Sequence, residues 1–449
     1  MKIGKLIKGL LGGNKEVVIS DDPFGRNTPP IPGVTGAVAP PTQSEPVREP
    51  SVVVHRDEII GERSRIAGYS FRAHSTDNSV RPSVEGTLAA LKADNVITVA
   101  QRRLALLPLR TEDWQSADFR PLIAPLTTFL IEPPAAGSDS TAWIAVLDEI
   151  KSTGGRVGID SAAASSFPAA LDRASLVLID FGAYSLEAFE RVVRNLAATR
   201  PELELLAGGI GSWAEHRMCQ ALGLRYSLGG FAAAPDEEEQ GEKLNQSQLV
   251  LIEMLNLLRR DADLEDLVAV AKRDPGVAVK VVEMANSPMS GLSAPVASLD
   301  QALMVLGRQM LYRWLSLGIY RAGSSGRDEA LLEIALTRAR FLELVALGNR
   351  PKQESDELFL VGMLSLLDSL LGMPMAAALG KIHLPQFVVD VLLKSEGPYG
   401  RFLMLALAME KGRSEQAAKL AEDLGIDAEK LEESHAAAFA WAQTALTSS

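Results

Sequence analysis

Between Ser51 and Pro235, short β-rich runs alternate with helical stretches, and beyond an acidic tract the pattern is helical to the end of the chain. This change of period is the strongest constraint on the fold. Alternating strands and helices build a parallel sheet, whereas unbroken helical patterning builds a bundle. Strands are predicted over 52–55, 66–71, 121–130, 156–160, 176–180 and 203–207, and helices over 141–151, 186–196 and 213–222. The tract Asp236-Glu237-Glu238-Glu239-Gln240-Gly241-Glu242 has no apolar periodicity, so like-charge repulsion predicts an extended linker over 236–243. A length of 449 residues also exceeds the usual limit for one hydrophobic core.

After the acidic tract, helices are predicted near 246–260, 264–273, 275–286, 299–321, 328–348, 355–371, 385–395, 398–411, 414–424 and 428–446. Asn245 with Gln248, and Ser298 with Gln301, have the spacing of an N-cap and its third-residue partner, which satisfies orphan donors at a helix start. Leu303, Leu306, Met310, Trp314 and Leu317 fall on one helical stripe.

The start of the chain reads differently. Residues 1–14 place Ile3, Leu6, Ile7, Leu10 and Leu11 at helical spacing among Lys2, Lys5 and Lys8, the pattern of a short membrane-surface or partner-docking helix. Four glycines in so short a stretch equally suit a frayed tail. Residues 15–50 are rich in Pro, Gly, Ser and Thr, the composition of a disordered linker.

A net charge of −12 and a pI near 5.1 argue against general nucleic-acid binding, which requires clustered Lys and Arg. The one cysteine, Cys219, excludes an intramolecular disulfide and a Cys-based metal cage, and suits the cytoplasm. No long charge-free apolar run predicts a transmembrane helix. His55, His74, His216, His383 and His435 are scattered and lack metal-ligand spacing. Gly208-Gly209-Ile210-Gly211 lacks the Lys and Ser/Thr of a phosphate loop, and no Gly-x-Ser-x-Gly elbow surrounds any serine.

In the second half, Asp274-Pro275, the run Val281-Val282-Glu283-Met284-Ala285-Asn286-Ser287-Pro288, and Ser298-Leu299-Asp300-Gln301-Ala302 followed by Leu306-Gly307 resemble the signature of HDOD domains. These domains are related to HD phosphohydrolases. Where relatives place a metal-binding His after Gly-x-Leu, this chain has Ser365, with Asp368 three residues on.

The first half resembles an EAL domain, the barrel that hydrolyses cyclic di-GMP, through His55-Arg56-Asp57-Glu58-Ile59-Ile60, Ile66-Ala67-Gly68-Tyr69 and Leu228-Gly229-Gly230-Phe231. Set against that family, the Glu-Ala-Leu-x-Arg motif becomes Ser70-Phe71-Arg72-Ala73-His74. A strand-ending Asn aligns with Ala124, the Asp-Asp pair becomes Asp160-Ser161, a Lys becomes Leu178 ahead of Asp180, and a later Glu-bearing strand becomes Ala207-Gly208-Gly209.

The resemblance implies an α/β plus all-α chain. A divergent TIM-like EAL barrel over 51–235, short enough to leave its closure open, precedes an all-helical HDOD bundle over 244–449. The expectation is a signal-transduction scaffold or regulator without enzymatic activity, cofactor or bound metal, acting through protein–protein contacts in a pathway governing motility, pili or surface behaviour. The alternative is a cyclic di-GMP receptor that does not hydrolyse its ligand. Arg72, Asp160, Asp180, Asn286 and Ser287 are the candidate ligand or partner contacts.

Overall fold

The computed structural model describes residues 52–75, 80–239, 244–286, 296, 298–323, 325–347 and 350–447. The expected helix 1–14, the linker 15–50 and Ser287 lie outside them. The chain divides into Met1–Glu49 and Pro50–Ser449, so barrel and helices share one compact unit.

Eight strands form a closed barrel in sequential order: β1 (Val52–Ile60), β2 (Ile66–Ser75), β3 (Leu104–Leu109), β4 (Thr127–Ile131), β5 (Arg156–Asp160), β6 (Leu176–Asp180), β7 (Glu204–Gly208) and β8 (Tyr226–Leu228). The barrel is therefore complete despite its length. Strands β2 to β8 are parallel, whereas β1 runs antiparallel to both neighbours and meets β8 through Ile59 opposite Leu228. Inward-facing residues alternate along the strands. They fill the lumen with Ile59, Leu104, Leu106, Leu176 and Leu206, so the centre is a packed core rather than a pore.

Helices α1 (Val84–Ala93) and α2 (Val96–Ala100) connect β2 to β3, and α3 (Thr111–Ser116) follows β3. The later crossovers carry α4 (Thr141–Ser152), α5 (Ser161–Ser166), α6 (Leu186–Thr199) and α7 (Trp213–Ala221). The β1–β2 hairpin has no crossover helix of its own, only a short 3-10 turn. Its outer face is covered by the helical half instead.

That half comprises α8 (Gln246–Arg259), α9 (Leu264–Ala271), α10 (Pro275–Ala285), α11 (Leu299–Arg321), α12 (Gly326–Ala346), α13 (Lys352–Leu364), α14 (Leu367–Leu371), α15 (Met375–Leu379), α16 (Gln386–Lys394), α17 (Gly400–Glu410), α18 (Ser414–Leu424) and α19 (Ala428–Thr447). Asn245 and Gln248 form the predicted capping box of α8, and the Ser298 side chain caps α11. Helix α11 departs from the continuous stripe. Gly307 adopts φ 66°, a left-handed conformation that glycine tolerates, and the helix breaks there. The break shifts the buried register to Leu311 and Leu315 and leaves Met310 at the surface.

The seam between barrel and bundle is aromatic and charged. Phe439 of α19 packs edge-on against Tyr69 and Phe71, and the Arg56 guanidinium sits 4.4 Å from its ring centre. Glu333 of α12 accepts hydrogen bonds from Tyr69 and, at 2.7 Å, from Arg103. Arg56 donates to both Asp94 oxygens at 2.8 Å and to His435 Nε2 at 2.8 Å. A buried guanidinium is tolerable only with such partners.

The acidic tract is not the extended linker expected. Asp236 is buried and bidentate with Arg217, and Glu237–Glu239 forms a 3-10 turn, so a cation within reach overrides like-charge repulsion. Residues 240–243 lie outside the described residues. Among the described residues, no helix is long and apolar enough to cross a membrane.

Candidate functional site at the barrel mouth

Because β2 to β8 are parallel, their C-terminal ends converge on one face of the barrel, the face where loops of such barrels carry binding and catalysis. Charged residues end four successive strands there: Arg110 follows β3, Glu132 follows β4, Asp160 ends β5 and Asp180 ends β6. Two adjoining depressions open above them. One, of about 320 Å³, is lined by Arg110, Asp113, Leu130, Glu132, Asp160 and Leu178 among others. The other, of about 440 Å³, adds Arg81, Thr111, Asp139 and Trp143 and shares Arg110, Glu132 and Pro133 with the first.

Arg110 is held in place by its own turn. Its Nε donates to Asp113 Oδ2 at 3.0 Å and its Nη2 to Oδ1 at 2.5 Å, and this pairing keeps the Asp113 carboxyl below its usual range against the opposing effect of burial. Asp160 accepts from the Ala163 amide at 2.6 Å and caps α5, while Asp180 accepts from the Gly182 amide at 3.1 Å. Gly209, at φ 73°, lies so close to Asp180 that a Cβ would fall 2.9 Å from its Oδ1.

Arg72 pairs with Asp57 on the hairpin, and Asp57 also lies 2.9 Å from His55 Nε2. Burial alone would raise the Asp57 carboxyl, but His55 and Arg72 hold it below the usual range. The mouth thus gathers Asp160 with Arg110 and Glu132 in one depression, while Arg72 is engaged by Asp57 and Asn286 lies in the helical half. The Asn286 side-chain amide donates to the Val296 carbonyl at 2.8 Å, and its Oδ1 accepts from the Val296 N–H at 2.7 Å, so it ties the end of α10 to Val296. Ser365 lies in that half too, accepting from Arg338 at 2.6 Å.

Two corrections concern the mouth. Ala124 precedes β4 and lies at the opposite end of that strand, so it does not occupy a strand-ending position. Arg81, Arg110 and Glu132 are absent from the sequence candidates, Arg110 because β3 was not predicted. An arginine directly after an apolar run, Leu104 to Leu109, was the available signal. A divalent ion of the kind EAL hydrolysis implies needs several oxygen ligands together. Among the described residues, no three His, Cys, Asp or Glu side chains are grouped so as to supply them.

Residues 244–378 match the family model of the HDOD domain. The chain is 25% identical over 268 residues to the cyclic di-GMP phosphodiesterase CdgJ of Vibrio cholerae, covering 60% of this chain and 62% of that protein. It is 27% identical over 245 residues to the uncharacterized protein YuxH of Bacillus subtilis, covering 53% and 58%. The chain thus spans about three fifths of the length of these curated relatives. The EAL enzyme Bd1971 in its cGMP-bound form overlaps 40% of this chain and 61% of its own at a TM-score of 0.33 and 15% identity. The expectation of a chain without enzymatic activity is overturned by the first relative, which is named for an enzymatic activity. A closed eight-stranded barrel thus precedes helices that match the HDOD domain, in a chain similar over three fifths of its length to the cyclic di-GMP phosphodiesterase CdgJ.

Proposed function

We propose that this chain works in cyclic di-GMP-linked signalling, with the barrel mouth receiving the dinucleotide and the helical half engaging a protein partner. One observation carries the reading. The larger of the two depressions at the mouth has guanidinium groups, Arg81 and Arg110, among its lining, and such groups pair with phosphate oxygens through charge-assisted, often bidentate hydrogen bonds. The relation to CdgJ, named a cyclic di-GMP phosphodiesterase, supports the same ligand.

Under this reading Arg110 is the anchor, because its pairing with Asp113 orients the guanidinium before any ligand arrives. Arg81 is exposed and lines the same depression. The carboxylates of Glu132 and Asp139 in the same depression repel phosphate and favour amino and imino groups, which suits a ligand presenting bases as well as phosphates.

Calorimetric titration of cyclic di-GMP into the full chain tests it. The Arg110→Ala variant is expected to bind about ten- to a hundredfold more weakly, the loss typical of one or two charge-assisted hydrogen bonds. No heat from the unsubstituted chain at high micromolar nucleotide, or undiminished binding by the variant, counts against the mouth as the site. Chromatography of the same samples with Mg²⁺ or Mn²⁺ reads turnover separately.

A further inference from the structure

A second cavity, of about 270 Å³ and sharing no lining residue with the mouth depressions, lies between the β1–β2 hairpin and helices α17 to α19. Val53, Met409, Ile426 and Leu431 supply aliphatic walls. Ala417, Ala418 and Ala421 of α18 contribute only methyl groups to the wall, with Ser414 and Glu422 of the same helix at its polar edge. The walls cannot close on the cavity. At the turn between α17 and α18, Gly412 already touches His55, and a Cβ there would fall 3.0 Å from the ring. His55 itself is only 6% exposed and is pinned by Asp57 and by the Met409 carbonyl, 3.3 Å from its Nδ1.

The polar groups narrow the class of occupant. His74 meets His55 edge to face, with ring centres 6.1 Å apart. Burial, followed by the neighbouring His55 and Arg72, holds His74 below its ordinary range, so near pH 7 it is a neutral imidazole with one N–H and one acceptor nitrogen. Glu422 and Glu432 line the same cavity against the single cation Arg413, which disfavours an anion. An apolar cavity of about 150 Å³ is enough for benzene. Nearly twice that volume suits two fused rings.

We infer that this pocket binds a neutral fused-ring aromatic molecule carrying one ring N–H or hydroxyl, held between the barrel hairpin and the C-terminal helices. The apolar walls take the ring faces, and the His74 imidazole takes the polar group. Both halves of the chain contribute walls, so the bound molecule fastens the seam. The helices involved lie beyond residues 244–378, outside the HDOD match, and the site is independent of the dinucleotide reading.

Indole is the probe, titrated into the full chain by calorimetry beside indole-3-carboxylate. Saturable binding of indole with a dissociation constant of about 0.1–1 mM is expected for so small a ligand, with the carboxylate at least tenfold weaker. Ala418→Phe, at a half-buried position, fills the pocket and should weaken indole at least tenfold with an unchanged circular dichroism spectrum. Should that variant misfold, Ala421→Leu reads the same space, and His74→Ala should weaken indole several-fold. Absence of saturable binding, equal binding of the carboxylate, or undiminished binding by the folded filling variant overturns the inference.

Discussion

Replacing Glu58 by glutamine should make the chain more stable at alkaline pH while leaving it little changed in mild acid. Glu58 lies on β1 in a small cavity at the seam, with Arg56, Tyr69, Glu333, Glu410 and His435 around it. Burial pushes its carboxyl up to about 8 from an ordinary 4.5; a backbone hydrogen bond opposes the rise, and the carboxylates of Glu410, Asp57 and Glu333 add to it. Between those two values the folded chain keeps a proton that the unfolded chain has lost. Stability is therefore undiminished below pH 4.5 and falls by about 1.4 kcal/mol per pH unit until about pH 8. The full window gives a ceiling of about 5 kcal/mol. Glu58 is half-buried, and water reaching its carboxylate reduces the realised loss to ~2–3 kcal/mol. Glutamine keeps the shape and hydrogen-bonding capacity of the protonated acid without titrating. Urea unfolding of both proteins at pH 5.5, 7 and 8.5 measures the effect, because the downward shifts of His74, His216 and His435 are common to both and cancel in the difference. A stability difference that stays flat across that range refutes the reasoning.

Two further substitutions probe packing on either side of the seam. Leu206→Ala empties part of the sealed barrel lumen, where the side chain is fully buried, and should cost about 3–4 kcal/mol, read as a lower urea midpoint at unchanged slope. Gly362→Ala places a Cβ 2.4 Å from the Ala339 Cα where α13 crosses α12; the backbones must part, and a loss of roughly 2–3 kcal/mol is expected by the same assay.

Legibility differed between the two halves for identifiable reasons. In the bundle, local signals and tertiary packing agree: the Asn245–Gln248 box opens α8, Ser298 caps α11, and the predicted helices follow within a few residues. There were two exceptions: helix 355–371 divides at Ser365 and Leu366 into α13 and α14, and the short α15 was not predicted. In the barrel, β3 was missed because Leu-Ala-Leu-Leu-Pro-Leu is an unbroken apolar run without β-branched residues, and no alternation marks a strand buried on both faces. Arg110 went unseen with it, and Ala124 was placed on the wrong end of the following strand.

Alternation of strands and helices, helix caps and the change of period after Pro235 determined from the sequence alone that a parallel-sheet half precedes a bundle, and the family resemblance implied that the sheet is a barrel. Only the tertiary structure decided that β1 closes the barrel against β8, that α12 and α19 cover the hairpin, and that Asp236 folds onto Arg217. The physical reason is range. Caps and periodicity are written within one or two helical turns, whereas the mouth, the seam and the pocket beside His74 are made by residues tens to hundreds of positions apart, whose proximity no local pattern encodes.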